Sequence, residues 1–115
     1  MSYMLLILEP PAQRGTRTES QGRAAYQRML DYTAMLKKRG VLLASEALKS
    51  EAVRLEAHAG RAQLLDGPFT ESKELIGGFV LVDCATREQA IGIARECPAA
   101  GWATIEVREI GTCYE

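Results

Sequence analysis

The sequence predicts an α+β fold in which strand, helix, strand, hairpin, strand, helix and strand follow one another. Three observations predict it. The apolar pattern switches between continuous short runs and a 3.6-residue period. Breaks fall at Pro10-Pro11, Gly40, Ala59-Gly60, Gly67-Pro68 and Pro98, which divide the chain into strand- and helix-sized pieces. A Thr86-Arg87-Glu88-Gln89 capping box marks the start of a second helix.

Residues 3–8 are wholly apolar and fit a strand buried on both faces. Pro10-Pro11 ends it, and residues 12–21 form a polar loop carrying Arg14 and Arg17. Over residues 21–39 Ala25, Met29, Tyr32 and Leu36 form one helical row, flanked by Tyr26, Leu30 and Thr33. Gly40 stands where a left-handed cap is expected, and Lys37, Lys38 and Arg39 suit the negative end of the helix dipole. Residues 41–48 predict the next strand. Residues 52–56 and 61–65 read as hairpin arms turning near Ala59-Gly60. After a loop over residues 66–74, residues 78–82 form a further strand. The helix begun at Thr86 turns Ala90, Ile91, Ala94 and Cys97 inward, with Pro98 as its limit, and residues 104–110 alternate as the last strand.

Removing the hairpin leaves βαββαβ, the ferredoxin-like arrangement, as one domain over residues 1–115. Its sheet carries both helices on one face. So short a chain has nothing left to cover the other, so a homodimer packed through its sheet faces is expected.

The 115 residues carry a net charge of −1, which argues against nucleic acid as the main partner. No run approaches a membrane span or a secretory leader, so a cytoplasmic protein without membrane contact is expected. Cys84, Cys97 and Cys113 are odd in number and lack metal-ligand spacing, which fits reduced thiols. With His58 as the single histidine, no metal site is predicted. No Gly-rich phosphate loop or dinucleotide fingerprint is visible, and no cofactor is expected. The Gly77-Gly78 pair suits close backbone approach better than phosphate binding.

Polar candidates for a ligand cleft are few. Glu46 interrupts an apolar run, and a carboxylate at a strand end is a candidate acid or base; the alternative is an ion pair with a nearby cation. Asp66 is either a general base at a pocket mouth or the cap of its own Gly-Pro turn. Lys73, between Glu71 and Glu74, is an anion ligand or a solvated loop charge. Tyr3 and Tyr26 are hydroxyl donors at a cleft wall, or core aromatics. Trp102 reads as a residue at a subunit edge, and Cys84 and Cys97 as small buried hydrophobes. Together these residues suit binding of a small polar or anionic metabolite, with cofactor-free isomerase, lyase or hydrolase chemistry as the accessible kind.

Tyr3-Met4-Leu5-Leu6-Ile7 with Glu9, Gly40-Val41-Leu42, Ser45-Glu46-Ala47-Leu48, and above all Asp66-Gly67-Pro68-Phe69-Thr70-Glu71-Ser72-Lys73-Glu74 with Gly77-Gly78-Phe79 form an ordered set. In that set the chain resembles the YCII-related proteins, in the branch named for the Asp-Gly-Pro-Phe motif. The resemblance implies a dimeric ferredoxin-like α/β-barrel. Some members are encoded beside sigma factors of the extracytoplasmic type, which implies an alternative role as a regulatory or accessory protein acting through protein contacts in transcription initiation. Founding relatives are proposed to use a histidine–aspartate pair with the histidine on the first helix. The first helix here contains no histidine, so that pair is not carried over.

Overall fold

The computed structural model describes residues 1–67, 69 and 72–115. Among these residues eight main elements follow in order: β1 (Ser2–Glu9), α1 (Glu19–Lys38), β2 (Leu42–Ala47), β3 (Val53–His58), β4 (Arg61–Asp66), β5 (Leu75–Asp83), α2 (Arg87–Arg95) and β6 (Thr104–Glu109). Short 3-10 turns at Gln13–Thr16 and Pro98–Gly101 lead into α1 and β6. The main sheet has the order β2-β5-β1-β6 with every neighbour antiparallel, while among the described residues β3 and β4 pair only with each other. This is the ferredoxin-like α+β arrangement with an inserted hairpin.

The N-terminus of α1 lies ahead of the expected residue 21 because a capping box starts it. Thr18 Oγ1 accepts from the Gln21 N–H at 3.1 Å, and Gln21 Oε1 accepts from the Thr18 N–H at 2.9 Å. At the other end Gly40 adopts φ +77 and donates to Lys37 O, and Val41 donates to Leu36 O. That Schellman closure is why glycine stands there.

Both helices pack on one face of the sheet. Tyr3, Leu5 and Ile7 of β1 and Val80 and Val82 of β5 meet Tyr32 and Leu36 of α1 and Ala90, Ile93 and Ala94 of α2 in one core. Alternation sends Met4, Leu6, Phe79 and Leu81 to the opposite face, which no element among the described residues covers. The molecule is 18 Å thick in its shortest direction. Among the described residues no helix is long and apolar enough to cross a membrane.

The hairpin stands away from this body. Its turn, Ala59-Gly60, has φ of 50 and 79, the left-handed pair of a two-residue type I′ connection. Register places Val53, Leu55 and Ala57 opposite Asp66, Leu64 and Ala62 on one side of the ribbon. Leu55 is 71% and Leu64 65% exposed. At the base the Gly67 N–H donates to Ala52 O at 2.7 Å, and a Cβ on Gly67 would stand 2.8 Å from that oxygen. Buried Phe69 lies under the Arg54 guanidinium, 3.8 Å from its ring centroid. Gly67 and Phe69 therefore hold the base of the arm, the glycine by permitting close contact with Ala52 and the aromatic by packing under Arg54. Pro68, Thr70 and Glu71 lie outside the described residues.

Candidate functional site

Helix α1 is 20 residues long, but its buried residues, Tyr32 and Leu36, both lie in its second half. The first half bridges open space. A cleft of about 710 Å³ lies there, between α1 and the strands β1, β5 and β2. That volume is within the ordinary range of small-molecule sites. Gly22, Ala25, Tyr26, Met29, Leu30 and Thr33 line it at helical spacing from α1. Ile7, Glu9, Ser45, Gly77 and Gly78 line it from the sheet, and Trp102 from the segment before β6.

Glu9 is the unusual residue of this cleft. It continues the inward-facing positions Tyr3, Leu5 and Ile7, so strand alternation carries a carboxylate to the edge of the core, where it is 4% exposed. A buried carboxylate needs a partner. Arg14, from the 3-10 turn after β1, supplies it: Nε lies 2.6 Å from Glu9 Oε1. The same guanidinium donates through Nη1 to Leu48 O at 2.5 Å and through Nη2 to Gly77 O at 3.0 Å. One planar fork thus ties together the ends of β1 and β2 and the start of β5.

The backbone of β5 makes room for this pair. The register of β1 against β5 steps from Ile7↔Gly78 to Leu8↔Ile76, leaving Gly77 as the unpaired residue of a bulge. A Cβ at Gly77 would meet the Glu9 carboxylate at 2.6 Å, and one at Gly78 would meet Glu46 O at 2.8 Å. Close approach explains both glycines, as their sequence context suggests.

The residues singled out from the sequence are not gathered in one place. Tyr26 lines the cleft from α1 and is 55% exposed. Glu46 borders it from β2, although its register opposite Phe79 sets its side chain on the helix-free face. Tyr3 is buried in the core, where burial, with Glu109 nearby, raises its phenol above the ordinary value. Asp66 ends β4 and Lys73 lies in the bend before β5; both are exposed, and the lining does not include them. Glu9 and Arg14 were not among the expected site residues. The available signal was Glu9 itself, a charge in phase with three buried strand positions.

Cys97 is buried, and burial raises its thiol above the ordinary range. Cys84 is half-buried, Cys113 is exposed, and His58 is exposed beside the hairpin turn. Among the described residues no three His, Cys, Asp or Glu side chains gather as metal ligands would.

Comparison with known proteins agrees with this architecture. The YCII-related domain matches residues 1–112. An uncharacterised protein of Rhizobium meliloti (strain 1021) is 41% identical over 61 residues, which are 51% of this chain and 49% of that protein. The chain thus spans about half the length of the curated relative it matches.

Proposed function

The chain belongs to the YCII-related family, and from the geometry of its cleft we propose that it binds a small polar or anionic metabolite between α1 and the sheet. The observation that carries this reading is the buried Glu9 carboxylate, paired with half-buried Arg14, on the floor of an open cleft. Interiors are normally filled to crystal-like density with apolar side chains. A concavity of small-molecule size over a buried carboxylate and its guanidinium partner is the arrangement a polar or anionic occupant fits. Tyr26, Thr33 and Ser45 add hydroxyls to the lining. Carboxylates and hydroxyls support cofactor-free acid–base chemistry of isomerase, lyase or hydrolase type.

The working unit in this reading is a cytoplasmic homodimer joined through the helix-free sheet faces. Met4, Leu6, Phe79 and Leu81 offer the apolar surface for it. The radius of gyration, 15.9 Å, exceeds the value of about 13 Å expected for a compact domain of this length, in keeping with an arm that reaches outward. Native mass spectrometry of the purified protein tests both statements together. A dimer that releases a small molecule on denaturation is expected. A monomer at micromolar concentration would end the dimer, and an adduct-free protein indifferent to a metabolite library would end the ligand.

One observation favours a second reading, in which the protein is a regulatory or accessory factor acting through protein contacts, in the setting of sigma-factor-dependent initiation. The apolar side of the β3–β4 hairpin is open to solvent. A stoichiometric protein partner lost on Leu55→Lys, with the dimer intact, would support it. Retention of that partner would remove it.

A further inference from the structure

We propose that the cleft selects a monoacid with an apolar body, its anionic head held by Arg17 and Arg28 beside Trp102. The inference rests on the reading of the cleft as a binding site and names what that site takes.

Two guanidinium groups converge on one ring. The Arg17 carbon lies 5.4 Å and the Arg28 carbon 5.3 Å from the centroid of Trp102. The two guanidinium carbons are therefore at most about 11 Å apart; Arg17 lines the cleft, and Arg28 is exposed to solvent beside the same ring. Among the described residues no carboxylate pairs with either. Arg61, Arg95 and Arg108 likewise have no carboxylate partner among the described residues, so what marks Arg17 and Arg28 is their shared approach to one ring. Stacking on tryptophan accounts for a single guanidinium well. Bringing a second like charge to the same ring, with no counter-charge among the described residues, leaves a place for an external anion.

Arg17 and Trp102 line the cleft itself, so an anion held there enters the cleft with the rest of its molecule. The α1 wall beyond it is mainly apolar, with Ala25, Met29 and Leu30 beside the hydroxyl-bearing Tyr26 and Thr33. The Glu9 carboxylate on the floor, already joined to Arg14, disfavours a second negative group. An apolar monoacid satisfies all three surfaces. A diacid or an uncharged amide satisfies only two.

The chain has one tryptophan, so intrinsic fluorescence reports on this position directly. Hexanoate, hexanamide and adipate are titrated against the full chain, and against Arg17→Gln and Arg28→Gln, with circular dichroism to verify folding. Saturable change with hexanoate is expected, with hexanamide and adipate at least tenfold weaker and each variant reduced toward the hexanamide value. Equal binding of hexanamide or adipate, unaltered hexanoate binding in the variants, or no response to hexanoate would overturn the proposal. Amide spectra separate the two levels of failure. Shifts at Gly22 and Gly77 caused equally by acid and amide would leave the cleft as a site without acid selection. Absence of shifts with all three would count against the cleft reading as well.

Discussion

Glu9 and Gly77 share one small volume: a Cβ on residue 77 would lie 2.6 Å from the Glu9 carboxylate carbon. The bulge in β5, the burial of Glu9 and the reach of Arg14 are thus one arrangement, set by the absence of a side chain at a single position. Gly77→Ala is expected to push the carboxylate off Arg14. Breaking a buried ion pair costs about 3–5 kcal/mol when fully enclosed, and Arg14 is partly solvated, so a loss of about 2–3 kcal/mol is expected. Urea unfolding measures it. An unchanged midpoint would mean that Glu9 does not depend on that space.

Tyr32 ties the two helices together, its hydroxyl donating to Ile93 O at 2.6 Å within the core. Burial, with Cys97 and Glu96 nearby, holds its phenol above the ordinary value. The fold therefore favours the neutral phenol, and the unfolded chain ionises first as pH rises past about 10. The stabilisation is complete below that pH and declines above it. Tyr32→Phe is expected to cost about 1–2 kcal/mol at neutral pH and to flatten the alkaline decline. Denaturant midpoints at neutral and alkaline pH check both, and an equally steep decline in the variant would contradict the assignment.

Arg39 donates to both oxygens of Glu96, at 2.8 and 3.1 Å, and this holds the Glu96 carboxyl below the ordinary range. The contribution is present above the carboxylate value of the unfolded chain, about 4.3, and is lost as pH falls through the lower folded value. Both side chains are nearly half exposed, so salt should weaken the pair. A double-mutant cycle of Arg39→Ala and Glu96→Ala is expected to give a coupling at pH 7 that shrinks in high salt and vanishes in acid. A coupling indifferent to pH would contradict it.

Ala59 occupies a left-handed conformation, φ 50, in the two-residue turn of the hairpin. Asparagine tolerates this region better than alanine, and the resulting Asn-Gly pair suits a type I′ turn. Ala59→Asn should stabilise the arm by up to about 1 kcal/mol. Slower amide exchange in β3 and β4 would show it, and faster exchange would reject it.

The fold was legible because its signals are local. The apolar run of β1, the helical row through Tyr32 and Leu36, and the box at Thr86 each depend on a few neighbouring residues. Removing the hairpin was enough to reveal the topology. The cleft was less legible. Ala25, Met29, Tyr32 and Leu36 share one helical row, yet only the last two are buried, because whether a helix face meets a sheet is a property of the whole assembly. Nothing in the sequence marks Arg14 as the partner of Glu9 or Gly77 as the space it fills. The start of α1 lies ahead of the apolar periodicity because the box at Thr18 sits in a polar stretch with no apolar residue beside it. Trp102 offered no pattern at all, because its two arginines come from distant segments.

Amide chemical-shift mapping with a metabolite library tests the central claim, that the space under α1 is the functional site, most directly. Perturbations are expected at Glu9, Gly22, Tyr26, Gly77 and the Trp102 indole, and loss of Glu9 by Glu9→Gln should weaken them. Perturbations confined to the β3–β4 hairpin, with those cleft signals unmoved, would contradict the account.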